Sequence, residues 1–226
     1  MLFSGSSYRR HRVIISGALI LMALLGLFVQ TGLADGALKS IRYSLSAFSL
    51  SNNPQGFDIS TELPPMPFSA ADHVVREDSA ARDQYYSDYQ WHVWSYSSCS
   101  GFAMEMSINA YGNHYIAADF LQKEADLGVW NVAAGLTGGE AGIAETASYF
   151  GFKALPNPPR TLQALIYAVN HGYPVIVGSP SHIMVARGAD STYIYVADSS
   201  LVDRTAMTYA QFMAWWDGFS VVLVPR

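Results

Sequence analysis

Near residue 172 the spacing of apolar residues changes from helical to alternating, and this change restricts the fold more than any other feature. Before it, apolar residues recur every three or four positions. Cys99, Phe102, Ala103, Met106 and Ala110 share one helical face, which predicts a helix from Cys99 to Tyr111 with Ser97 and Ser98 as N-caps and Gly112 as a stop. The same spacing predicts helices over 115–127, 139–150 and 161–170, the last stopped by Gly172. After it, PVIV (174–177) reads as a short buried strand, HIMVARG and STYIYVADS alternate around the turn-like GADS, and SVVLV (220–224) is a last strand. A helix over 209–216 precedes that strand. Helices first and strands second describe an α+β domain.

A core must hold this domain, because a single cysteine among 226 residues permits neither an internal disulfide nor a cysteine-based zinc site. Half of the residues are hydrophobic and 14% are charged, which excludes a disordered chain. The net charge of -5 argues against a nucleic-acid partner. That charge is unevenly divided: residues 1–34 carry Arg9, Arg10 and Arg12 and no acid, so the remainder is more acidic than the total suggests. After this basic tip (1–12), Val13–Val29 is uncharged, and the run extends to Ala34. It is long enough for a transmembrane anchor with the N-terminus in the cytoplasm, or, with Gly32 and Ala34 before Asp35, for a cleaved signal peptide. Both readings export the body, either as a single-pass membrane protein or as a secreted one. Residues 35–75 mix Ser, Asn and Pro without sustained period. They read as a linker that lifts the domain from the membrane, or as an ordered arm anchored by Phe57 and Phe68. The folded body then spans 76–226.

Cys99, His182 and Asp198 are the candidate catalytic residues. A thiol in the first turn of a helix feels the positive end of the dipole, which favours thiolate. The competing reading is an inert buried cysteine. If the two alternating strands form a hairpin with Gly188 opposite Thr192, then Ala186 faces Ile194, Met184 faces Val196 and His182 faces Asp198. Those side chains share one face, with the last pair about 5 Å apart at Cβ. The carboxylate then accepts an imidazole N–H and fixes its tautomer. A slip of one residue removes Asp198 from that face. Taken alone, His182 reads more readily as a satisfied core histidine, but a His–Asp pair on an otherwise apolar face is costly to bury unless its members are paired.

A nucleophile, a base and an orienting acid in this order carry a family resemblance. SSCSGFAMEMSINAYG, NHGYPVIVGS, SHIMVARGADSTYIYVADSS and MTYAQFMAWWDGFSVVLV resemble successive blocks of papain-like cysteine peptidases. The branch is the bacteriocin-processing, double-glycine leader type (the C-thirty-nine-like group), and the likeness covers about residues 85–226. It implies a papain-like fold, with a helical N-terminal half and a C-terminal antiparallel sheet, and a peptide or amide substrate. It implies Cys99 as nucleophile, His182 as general base and acid, and Asp198 as the group that orients the histidine. The family's oxyanion-hole glutamine lies shortly before the cysteine. Gln90 is the nearest glutamine, nine residues upstream, and Gln84 lies farther still. The Cys99 backbone N–H is another donor. The family often has glycine directly after the cysteine, whereas here the order is SCSG.

Other residues carry less. His73, His92, His114 and His171 lack metal-ligand spacing, so no metal or cofactor is expected, although His92 competes as a base by its closeness to Cys99. Gly135, Gly138, Gly139 and Gly142 read as a hinge before a helix, with no lysine following to make a phosphate loop. Glu140 and Glu145 lack glycosidase-like spacing, and Trp215 and Trp216 read as core. The aromatic run Tyr85, Tyr86, Tyr89, Trp91, Trp94 and Tyr96 reads as cleft lining or as core and rim. The leading reading is an exported, membrane-tethered cysteine peptidase or amidase. A non-catalytic surface-binding module on the same fold and a transglutaminase-like acyltransferase are the alternatives.

Overall fold

The computed structural model describes Leu63, Met66 and residues 68–226. The basic tip, the uncharged run 13–34, most of the linker and Phe57 lie outside the described residues. In chain order the elements are α1 (Asp88–Trp94), α2 (Cys99–Asn109), α3 (Ala117–Asp126), β1 (Trp130–Asn131), β2 (Gly135–Leu136), α4 (Gly139–Tyr149), β3 (Phe152–Ala154), α5 (Leu162–Asn170), β4 (Val175–Ser179), β5 (His182–Ala189), β6 (Tyr193–Ala197), β7 (Ala206–Thr208), α6 (Tyr209–Trp215) and β8 (Phe219–Pro225).

Six strands form one sheet in the order β3-β8-β4-β5-β6-β7, and every neighbouring pair is antiparallel. Helices cover both of its faces. Ile176, Ile183, Val185, Ala197, Val221 and Leu223 meet Phe102, Met106, Phe120 and Ile143 of α2, α3 and α4. The alternate residues Val177, Met184, Ala186, Val196, Val222 and Val224 meet Leu165, Val169, Phe212 and Met213 of α5 and α6. A sheet buried on both faces needs apolar residues at consecutive positions, which is why the strand sequences are nearly unbroken apolar runs. The helical-half and strand-half division therefore needs refinement: β3 precedes α5, and α6 packs back on the sheet.

The sheet and two further helices enclose α2. Ser100 to Ile108 are all buried, so this helix has no solvent face, where one apolar face was expected. It approaches α3 closely at Gly101, where a Cβ would lie 2.5 Å from Leu121 Cγ and 3.0 Å from the Ala117 carbonyl oxygen. That contact is a physical reason for the SCSG order: glycine is needed two residues after the cysteine, where α3 crosses.

The chain enters this body before residue 76. Ala70, Ala71 and Val74 are buried, Ala71 N–H donates to the Gly172 carbonyl at 2.8 Å, and the Phe68 ring meets Tyr111 edge-on.

Candidate active site

Cys99 is the first residue of α2 and is half-buried and unpaired in any disulfide. A short 3-10 turn, Ser95–Ser97, brings the chain to it. Ser98 holds the N-cap position, yet its side chain does not cap: its hydroxyl donates to the Ser95 carbonyl and accepts from the Tyr85 hydroxyl. The serine is thus an anchor for the approach to the helix, and the amides of the first turn keep no side-chain cap. Trp130 of β1 donates its indole N–H to the Ser97 carbonyl at 2.8 Å and meets Trp94 edge-on, which fixes this turn from outside.

His182 opens β5, across a tight turn from Ser179, and Asp198 directly follows β6. The two ends lie together because β5 and β6 are antiparallel. The hairpin register differs from the expected one. Gly188 pairs with Tyr195 rather than Thr192, and Ala186 with Val196 rather than Ile194. The cause is local. The Asp190 carboxylate accepts the Thr192 and Tyr193 amides and the Asp190 N–H donates to the Tyr193 carbonyl, so the turn lies further along the chain than expected, over Ser191 and Thr192. That displaces the first pair by three residues. A bulge between Ala186 and Gly188 then takes up one, leaving a displacement of two. An even displacement preserves the face, so His182 and Asp198 become diagonal instead of direct neighbours. His182 Nε2 lies 2.7 Å from Asp198 Oδ1.

The carboxylate is fully buried and well held. Its Oδ1 also accepts the Ser200 N–H at 2.9 Å, and Oδ2 accepts from Arg204, from the guanidinium Nη1 at 3.1 Å and the backbone N–H at 3.4 Å. The Arg76 guanidinium donates to the Asp198 carbonyl at 3.0 Å and the Ser200 carbonyl at 3.1 Å, and it pairs with Asp203 at 2.9 Å. Burial works against the charged carboxylate, but the hydrogen bonds from His182 and Ser200 outweigh it and hold Asp198 well below the usual carboxylate range. Burial likewise opposes the imidazolium, yet hydrogen bonds to Asp198 and Cys99 carry His182 up to about 9. With Nε2 on the aspartate, the other ring nitrogen is left for the thiol. The structure brings together Cys99, His182 and Asp198, the three residues singled out by sequence.

Gln90 is placed elsewhere. It sits in the first turn of α1, where its side-chain oxygen accepts the Tyr86 N–H at 2.9 Å and its own N–H donates to Ser87 Oγ at 3.2 Å. It closes its own helix, the local use that a Ser-x-x-Gln spacing favours. Gln84 is buried against Glu77 and the start of α3, with its oxygen accepting the Ala117 N–H. His92 binds the Asp88 carbonyl within its own helix and meets the Trp91 ring at a tilt. Glu140 pairs with Arg160 and accepts the Ser220 N–H, a structural use. Arg76, Ser200 and Arg204 carried no sequence signal, because their roles depend on which loop they meet. Two buried acids behind the nucleophile were also not foreseen. Glu124 accepts from the Ser100 hydroxyl at 2.7 Å, and Glu105 lies deeper on α2; burial raises them to about 8 and about 9.

A half-buried thiol at a helix start, near an imidazole that is hydrogen-bonded to a buried carboxylate, on a six-stranded antiparallel sheet between helices, defines the class: an α+β protein with the side-chain set of a cysteine peptidase. The chain belongs to the Peptidase_C39 like family, whose family model matches residues 78–222, and is by that membership a cysteine peptidase hydrolase. Solved structures similar to it include the peptidase domain of Streptococcus ComA, a bi-functional ABC transporter involved in a quorum-sensing pathway. The identity is 23% over 57% of this chain and 93% of that one, with a TM-score of 0.49. Another is a double glycine motif protease from an AMS/PCAT transporter in complex with the leader peptide, at 16% identity over 57% of this chain and 86% of that one, with a TM-score of 0.44. No curated protein matches the chain.

Proposed function

We propose that the chain hydrolyses peptide or related amide bonds through Cys99, His182 and Asp198. One observation carries this reading: His182 Nε2 lies 2.7 Å from the buried Asp198 carboxylate, and the Cys99 thiol is near enough to the ring to help raise the imidazole's pKa. The Cys99 thiolate attacks the carbonyl carbon, and the oxyanion is met by the Cys99 backbone N–H at the uncapped helix start. The His182 imidazolium gives its proton to the leaving amine, and a thioester remains on Cys99. Water then attacks the thioester, with His182 taking its proton and Asp198 holding the ring in place throughout. The Gln90 side chain has no part in this scheme. Exposed apolar side chains border the reacting group in sequence: Tyr96 just before Cys99, and Leu201 and Val202 just after Asp198. They suit a peptide with apolar side chains.

Arg9, Arg10 and Arg12 before an uncharged run support display of the domain outside the cytoplasm, tethered through residues 13–34. Protease digestion of intact cells tests the topology: loss of the domain agrees with it, and full protection refutes it.

An electrophilic thiol probe tests the chemistry in wild type, Cys99→Ala and His182→Ala. Wild type is expected to label at neutral pH, Cys99→Ala not at all, and His182→Ala at least tenfold more slowly. Equal labelling of wild type and His182→Ala would overturn the catalytic reading.

A further inference from the structure

The Asp198 carboxylate faces two cations. Oδ1 meets His182 Nε2 at 2.7 Å, and Oδ2 meets Arg204 Nη1 at 3.1 Å. The second arginine of this loop is used differently. Arg76 touches Asp198 only at its carbonyl oxygen, and its charge is matched by Asp203 at 2.9 Å and Asp78 at 3.5 Å. Among the described residues, Asp198 is the carboxylate with which Arg204 forms an ion pair. The charged and titratable groups facing the imidazole–carboxylate pair are therefore Cys99 from α2, Arg204 and Asp203 from the loop after β6, and Arg76 and Asp78 from the entering segment.

We propose that Arg204 is a positioning residue: by sharing the Asp198 carboxylate with His182, it limits how firmly the imidazolium keeps its proton and fixes the plane of the carboxylate. The inference rests on the proposed function. A lone carboxylate would give its whole field to the imidazolium, and a proton held too tightly is transferred slowly to a leaving amine. The guanidinium takes one oxygen and part of that field. It also prevents the carboxyl from rotating, since both oxygens are engaged by separate donors. The two arginines thus divide the work. Arg76 ties down the backbone with a charge already matched, and Arg204 adjusts the electrostatics of the pair.

Proton NMR of the His182 ring across pH tests this in the full chain, with wild type, Arg204→Met, Arg204→Lys and Arg76→Met. Removing a nearby cation favours protonation, so Arg204→Met should move the His182 midpoint upward by about half to one pH unit, the partly exposed guanidinium being screened by solvent. Arg204→Lys should restore the wild-type midpoint to within a few tenths, and Arg76→Met should leave it unmoved. Arg204→Gln, which keeps a donor and loses the charge, serves should the methionine variant not fold, and is expected to show the same upward shift. An unchanged or lowered midpoint in the folded uncharged variant overturns the proposal. Alkylation of Cys99 by iodoacetamide, read alongside in wild type and His182→Ala, separates this failure from failure of the functional reading. If alkylation depends on His182 while Arg204 variants leave the midpoint in place, the Arg204 inference alone falls. If alkylation is indifferent to His182, the catalytic reading falls.

Discussion

Asp198 is the residue on which the site's geometry converges. It takes His182, Ser200 and Arg204 on its carboxylate and Arg76 on its carbonyl. Replacing it by asparagine keeps the shape and loses the charge. We expect Asp198→Asn to lower the rate of Cys99 labelling at pH 7 by about a hundredfold or more, because an amide fails to hold the imidazolium form. A thiol-probe time course on folded protein checks this; a change below threefold would remove Asp198 from the machinery. The three residues were legible because their chemistry is sparse in this sequence: one cysteine, and one histidine and one aspartate at matching ends of two alternating runs. Gln90 was not, since glutamine serves helix ends as readily as oxyanions. Here the neighbouring Ser87 and Tyr86 engage it within its own helix.

At the scale of elements, long periodic segments matched the spacing of their apolar residues closely, because packing on a flat sheet rewards that spacing. The five expected helices each stand within two residues of their sequence bounds. Strands β1, β2, β3 and β7 are two or three residues long and show no period to read. The β5–β6 register was equally hidden, because it depends on the hydrogen bonds of the Asp190 side chain and on the bulge. Removing Arg187, the unpaired residue between the two shifted pairs, should take out the bulge while Ala186 stays opposite Val196 and Gly188 opposite Tyr195, so His182 and Asp198 keep their shared face. His182-dependent labelling of Cys99 is expected to persist, and its loss would show that the bulge itself aligns the pair. At the α2–α3 crossing, Gly101→Ala places a methyl against Leu121 and the Ala117 carbonyl. It should cost about 1–3 kcal/mol in urea unfolding. In the loop after β6, Leu201 is 83% exposed three residues after Asp198. Changing Leu201 and Val202 together to serine should raise KM for a cleaved peptide several-fold with little change in kcat, since neither side chain touches the reacting atoms. An unchanged KM would exclude them from the binding surface.

For the whole molecule, the buried ionisable groups set a common direction with pH. Glu105 and Glu124 are raised by burial from 4.5 to about 9 and about 8. A group raised on folding stabilises fully below its unfolded value and loses that contribution as pH rises to its folded value. The two glutamates therefore weaken the fold progressively above about pH 4.5. His182, raised from 6.5 to about 9, adds a further loss between those values. Asp198 is lowered on folding, so its contribution is present above the ordinary carboxylate range and vanishes in strong acid. Thermal midpoints should be highest near about pH 5 and fall toward pH 9. Glu105→Gln with Glu124→Gln should flatten that fall, and a slope equal to wild type would count against the buried acids as its cause.

The clasp that Arg76 makes on the Asp198 loop also bears on where this protein can be divided. The family likeness begins at residue 78, two positions after the arginine and beyond the buried Ala70, Ala71 and Val74. A fragment cut to the limits of the family match would keep Cys99, His182 and Asp198 and the Ser79 contact to Ser199, yet it would lose the Arg76 clasp on the loop that carries Asp198. Shared ancestry and mechanical integrity thus have different borders in this chain. An excised 66–226 fragment is expected to outlast a 78–226 fragment both in thermal melting and in thiol reactivity.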